Sequence, residues 1–222
     1  VVFDLDGLMF NTEELYQQVG SELLRRRGHT LTQDLLDQMM GRPSRVALQI
    51  MIDTHRLAAT VDELIAETDA LFPEILRTQL APMPGLVELL AALEARGIPK
   101  GIATSSRRSF VERVLGRFDY QRRFDPILTS EDIVHGKPHP EIYLRAAQRL
   151  GVAPGEMLVL EDSENGCRAA VAAGAITVAV PGAHSRRHNF RGAALVAESL
   201  ADRRLYECLG LPPPTSCQPG WG

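Results

Sequence analysis

Lysine is almost missing from this sequence: of its 24 basic residues only Lys100 and Lys137 are lysines, and the rest are arginines. Excess positive charge is missing too. The formal net charge is −4, which excludes a basic footprint for nucleic acid and for an anionic lipid surface. No apolar run approaches the ~18 residues needed to cross a bilayer, so no membrane association is expected. The three cysteines, Cys167, Cys208 and Cys217, are odd in number, widely spaced and free of any C-x-x-C pair. That usage indicates neither a disulfide framework nor a cysteine zinc cage, and it makes a cytoplasmic location the simplest expectation. The glycine fingerprints of dinucleotide sites and phosphate-binding loops are absent, as is any internal repeat. The chain opens on Val1-Val2-Phe3 without Met, so a short preceding stretch is expected, and no secretory signal pattern is visible.

The 222 residues, 45% apolar and 23% charged, are enough for one large domain or two modest ones with a real core. Val1–Leu5 reads as a buried strand closed by the turn Asp6-Gly7. Helical spacing then runs without strand-like alternation from Thr12 to Leu80, with Thr12 as N-cap and Glu13 and Glu14 in a first turn that favours anions. Met83-Pro84-Gly85 breaks that texture. Beyond it, short apolar strands (101–103, 126–129, 158–160 and 176–180) alternate with helices (86–96, 109–118, 141–150 and 166–173). Such alternation predicts an α/β fold, a Rossmann-like parallel sheet flanked by helices. The expected organisation is an α/β core of residues 1–10 and 84–210 interrupted by an all-helical cap at 11–83. Residues 211–222, rich in proline and glycine, are expected to form a disordered tail.

Ligands of open parallel sheets bind at the carboxyl ends of the strands. Four strand exits here carry Asp4-Leu5-Asp6-Gly7, Ala103-Thr104-Ser105-Ser106, Gly136-Lys137-Pro138 and Glu161-Asp162-Ser163. Carboxylates, hydroxyls and one ammonium gathered at a single edge suit a divalent cation and a phosphate group. Adjacent carboxylates such as Glu161 and Asp162 repel at the end of an apolar strand unless a cation or proton lies between them. Asp-x-Asp-Gly alone would be an ordinary acidic turn; the four elements in this order are a far stronger signal.

With these motifs the chain resembles the haloacid dehalogenase superfamily of phosphotransferases, and within it the sugar- and nucleoside-phosphate phosphatases that neighbour β-phosphoglucomutase. The carrying residues are Asp4-Leu5-Asp6-Gly7, Ala103-Thr104-Ser105, Lys137-Pro138-His139-Pro140-Glu141 and Glu161-Asp162-Ser163-Glu164-Asn165-Gly166. The resemblance implies an Mg²⁺-dependent phosphatase acting on a small phosphorylated metabolite, a sugar phosphate or a nucleoside monophosphate, through an aspartyl-phosphate. Asp4 would be the nucleophile and Asp6 the general acid and base, two residues apart in extended chain and so on one side of it. The metal would take the Asp4 carboxylate, the Asp6 backbone carbonyl and Asp162, with Glu161 either a further ligand or just behind them. The Thr104 hydroxyl and the Ser105 backbone N–H would hold phosphate oxygens, and Lys137 would neutralise charge on the aspartate and the phosphoryl group. The Gly41-Arg42-Pro43-Ser44-Arg45 turn lies where related caps face the active site, so Arg42 or Arg45 is expected to contact substrate. The insert would read the leaving group and exclude water on closing.

Competing readings are weaker. Haloacid dehalogenases lack the second aspartate and the metal. Mutases of the β-phosphoglucomutase type carry a histidine where this chain has Leu15-Tyr16-Gln17. A non-catalytic binding protein on this fold would be expected to have lost a carboxylate. One departure is Asn11-Thr12, where the family commonly has Asp-Thr; it touches a hinge contact and leaves the catalytic set intact. His135 and His139 flank Lys137 without a helical zinc pattern and read as loop residues. The sequence carries no sign of an oligomeric state.

Overall fold

The structure is a computed structural model that describes residues 1–39, 44–183 and 185–213. Arg42, an expected substrate contact, lies outside the described residues, as does 214–222 of the expected tail.

The sheet has six parallel strands: β1 (Val2–Phe3), β2 (Gly101–Ala103), β3 (Ile127–Leu128), β4 (Leu158–Glu161), β5 (Ile176–Ala179) and β6 (Leu195–Val196), in the order β3-β2-β1-β4-β5-β6. In the centre, Phe3 stands beside Ile102 on one side and Leu160 on the other. Strands covered on both faces need apolar residues on both, and β1, β2 and β4 are buried throughout. The sequence predicts neither β6 nor the six-residue α9 (Arg203–Cys208).

Chain-order crossovers supply the covering helices α5 (Leu86–Ala95), α6 (Arg108–Gly116), α7 (Glu141–Leu150) and α8 (Glu164–Ala172). α7 turns Ile142, Tyr143, Ala146 and Ala147 onto Val2, Ala103, Leu128 and Val159, with Ala169, Ala170 and Ala173 beside them. α7 stops at Gly151, whose φ of 69° is a left-handed conformation that glycine adopts without strain.

The chain divides into two compact units, Val1–Asn11 with Ala81–Gly222, and Thr12–Leu80. The second consists of α1 (Thr12–Arg25), α2 (Gln33–Met39), α3 (Ser44–His55) and α4 (Val61–Gln79). Thr60 and Glu63 form a reciprocal capping box at the start of α4, and Tyr16 of α1 stacks on Phe72 of α4 with ring centres 4.4 Å apart. The boundary differs from the expected 11–83. Met83 N–H donates to Met9 O at 2.8 Å and Asn11 N–H to Ala81 O at 3.2 Å, so residues 81–83 pair with the first segment and belong to the α/β unit. Asn11 Oδ1 accepts the Ala81 N–H at 2.8 Å, a contact for which an acceptor oxygen suffices and a charge is unnecessary. At the other end Leu211, expected in the tail, is buried, and its N–H donates to Tyr206 O at 2.9 Å. No helix among the described residues is long and apolar enough to cross a membrane.

Candidate active site

The carboxyl ends of β1, β2 and β4 bring the predicted residues of the α/β unit together. Lys137 is the hub. Its Nζ donates to Asp4 Oδ1 at 2.6 Å, to Glu161 Oε1 at 2.6 Å and to the Ala103 carbonyl at 2.9 Å. Three donors thus meet three acceptors on three different strand exits, with the side chain only 5% exposed. Burial disfavours its charged form, yet the Asp4 and Glu161 carboxylates outweigh that and hold the ammonium well above the ordinary lysine range. The Tyr143 ring lies 5.0 Å from Nζ, a further attraction for the cation.

Glu161 is fully buried and completely engaged. Oε1 accepts from Lys137 and from the Tyr143 hydroxyl at 2.6 Å, while Oε2 accepts from Ser163 Oγ at 3.0 Å and Ser163 N–H at 3.3 Å. A carboxylate so surrounded holds Lys137 in place. It lies close to the other acidic groups, but of the two positions expected for it the one behind the ligands fits these bonds. Gly166 is forced by the same group: a Cβ there would overlap the Glu161 carboxylate. Ser163 also caps α8, its Oγ accepting the Gly166 N–H at 3.1 Å.

Asp6 is arranged differently. Its Oδ2 accepts from Ser106 Oγ at 2.6 Å and from Thr104 Oγ1 at 3.3 Å. Its Oδ1 is buried with no hydrogen-bond partner among the described residues. Two hydroxyls therefore pin one oxygen and leave the other for a reacting group. Thr104, expected on phosphate, is committed here to Asp6 and to the Ser106 N–H at 3.1 Å. The Ser105 side chain is exposed, and Ser106, not singled out from the sequence, contacts Asp6. Arg45 is likewise exposed and pairs with Asp62 at 2.7 Å. That ion pair lies on the surface of the helical unit.

Asp4, Glu161 and Asp162 each offer an oxygen, all within 4.8 Å of one another and all from buried side chains. Burial, with repulsion from Glu161 and Asp6, pushes the Asp4 carboxyl up to about 8 against the pull of Lys137. A site of carboxylate oxygens that a single ammonium leaves so short of positive charge fits a hard divalent cation. With Glu161 committed to Lys137, Asp4 and Asp162 are the side chains disposed to hold it.

The family model of the haloacid dehalogenase-like hydrolases matches residues 1–180. The chain belongs to this family. This hydrolase is 35% identical over 219 residues to a probable pseudouridine-5'-phosphatase of Drosophila melanogaster, covering 95% of this chain and 93% of that one. It is 32% identical over 214 residues, 96% of its length, to a bifunctional riboflavin kinase/FMN phosphatase of Arabidopsis thaliana, of which it spans only 56%. The crystal structure of a putative β-phosphoglucomutase from Thermotoga maritima superposes with a TM-score of 0.81 at 26% identity, over 94% of this chain and 98% of that one. The hydrolase is a phosphoric monoester hydrolase with an α/β Rossmann-like core.

Proposed function

We propose that this hydrolase removes the phosphate of a sugar phosphate or a nucleoside monophosphate, with Asp4 as nucleophile, Asp6 as general acid and base, and Mg²⁺ as cofactor. The observation that carries the reading is the buried charge arrangement: Asp4 bonded to Lys137, Asp162 within reach, and an unpaired Asp6 oxygen beside them. Phosphate monoester hydrolysis is among the slowest uncatalysed reactions, so nucleophile, charge neutralisation and proton transfer must be supplied together.

In the first half, an Asp4 oxygen attacks phosphorus and the bond to the leaving oxygen breaks. Asp6, its Oδ2 fixed by Ser106 and Thr104, delivers the proton that the departing alkoxide needs. In the second half the same carboxylate takes a proton from water as the aspartyl-phosphate is hydrolysed. Lys137 offsets part of the charge on Asp4 and orients its carboxylate, whose ionised form a bound divalent cation would favour. Asp4, Asp162 and the Asp6 backbone carbonyl would hold the cation, whose chemistry there is Lewis-acid neutralisation of the phosphate oxygens. Similarity to a probable pseudouridine-5'-phosphatase, a bifunctional riboflavin kinase/FMN phosphatase and a putative β-phosphoglucomutase supports a small phosphorylated metabolite as substrate.

The test is release of inorganic phosphate from a panel of sugar phosphates and nucleoside monophosphates with Mg²⁺. Asp4→Asn is expected to lower turnover by at least about a thousandfold, and chelation with EDTA to abolish it. An active Asp4→Asn protein or EDTA-resistant turnover would overturn the assignment. Transfer between two positions of a sugar without phosphate release would identify a mutase instead.

A further inference from the structure

Two histidines that the phosphatase reading does not use meet inside the helical unit. His29 lies in the turn after α1, and its backbone N–H closes that helix on Leu24 O at 2.9 Å. His55 is the last residue of α3. Their ring centres are 4.7 Å apart with the planes inclined at 41°. Both side chains are half-buried, and His55 Nε2 is fully buried with no hydrogen-bond partner among the described residues. Ring packing alone accounts for the contact but not for a desolvated, unpartnered nitrogen, which carries a penalty unless something binds it.

The ring spacing matches that of two imidazoles on one metal ion. An imidazole nitrogen at about 2.0–2.1 Å from zinc puts its ring centre roughly 3.2 Å from the ion, so two such rings at 90–110° stand about 4.5–5.2 Å apart. The electrical surroundings favour a cation as well. Both histidines lie at helix C-terminal ends, where the aligned peptide dipoles place negative potential. The arginines that end α1 are already answered, Arg25 and Arg26 by Glu22 at 2.7 and 2.9 Å, and Arg27 by Glu67.

We infer that His29 and His55 form a binding site for a divalent ion of the zinc, nickel and copper group, which clamps the end of α1 to the end of α3. Imidazole nitrogens select such borderline ions, whereas the carboxylates around Asp4 suit a hard ion like magnesium. The two sites are therefore separable by choice of metal, and this one does not depend on the phosphatase assignment.

The test is a Zn²⁺ titration of the full chain in saturating Mg²⁺, followed through the ring ¹⁵N resonances of its histidines and by calorimetry. The His29 and His55 ring signals are expected to shift together and saturate at one ion per chain. His29→Gln and His55→Gln are each expected to weaken Zn²⁺ binding about tenfold or more. Phosphate release in saturating Mg²⁺ should be unchanged by either substitution. His135 and His139 provide an internal comparison. Their rings are also 4.7 Å apart, but they are exposed and His139 Nδ1 accepts the Glu141 N–H at 3.3 Å. Unmoved His29 and His55 signals in the wild-type chain would overturn the inference, whether or not His135 and His139 respond. That readout needs no variant to fold.

Discussion

At the scale of single residues, Lys137 shows why one of only two lysines stands where it does. A compact ammonium directs three donors at Asp4, Glu161 and Ala103 from one point, whereas a planar guanidinium spreads its donors over a fixed fork. Lys137→Arg is therefore expected to be strongly damaging to phosphate release, and near-wild-type turnover in that variant would contradict the geometry. Tyr143 acts one step further out. Its hydroxyl donates to the same Glu161 oxygen that receives Lys137. Tyr143→Phe keeps the ring beside the ammonium and removes only that bond, at a cost of about 1–3 kcal/mol in folding stability. Chemical denaturation should show the loss, and kinetics should show a lowered kcat with KM little changed, because Glu161 then holds Lys137 less firmly.

At the scale of elements, the start of α7 fastens the loop that carries Lys137. The Glu141 carboxylate accepts from His135 N–H at 2.8 Å and from Val134 N–H at 3.1 Å, six and seven residues before the first residue of the helix. Those backbone bonds, with Arg145 adding to them, draw the Glu141 pKa from 4.5 down to about 2. A depressed carboxylate stabilises the fold above its unfolded value and loses that contribution as the pH falls. The fastening is thus complete above 4.5 and disappears as the pH drops through about 2. A carboxyl ¹³C titration should place the Glu141 midpoint near 2, and a midpoint at the ordinary value would refute the contact. Glu141→Gln should speed hydrogen exchange at Val134 and His135 while leaving the rest of α7 protected.

At the scale of the whole molecule, burial sorts groups that look alike in the sequence. Cys167 lies in the α/β core at 1% exposure, and burial, with the nearby Glu161 and Asp162 charges, pushes its thiol up. Cys208 at the end of α9 is exposed. Native-state alkylation followed by peptide mass spectrometry should therefore modify Cys208 long before Cys167. Equal rates at the two would mean that the core opens as readily as its surface. Within the α/β unit, Asn11 and Ala81 tie the outgoing and returning chain together: Asn11 N–H donates to Ala81 O, and Ala81 N–H donates to Asn11 Oδ1.

The alternation of apolar strands and helices was legible from the sequence because periodicity is a local property. So was the gathering of Asp4, Asp6, Thr104, Lys137, Glu161 and Asp162 at one edge, since parallel strands all present their carboxyl ends to the same side. What no local pattern contained was the division of labour among those groups. Glu161 and Asp162 are adjacent in the chain and equal in charge, and only the packing of Tyr143, Ser163 and a side-chain-free Gly166 around Glu161 assigns it to Lys137. Of two neighbouring serines, Ser106 and not Ser105 meets Asp6, because the turn after β2 decides which hydroxyl faces inward. His29 and His55, separated by α2 and the length of α3, carry no shared motif at all. Sequence determines which residues can reach a strand end, by spacing; hydrogen bonds formed between distant segments decide which of them finds which partner.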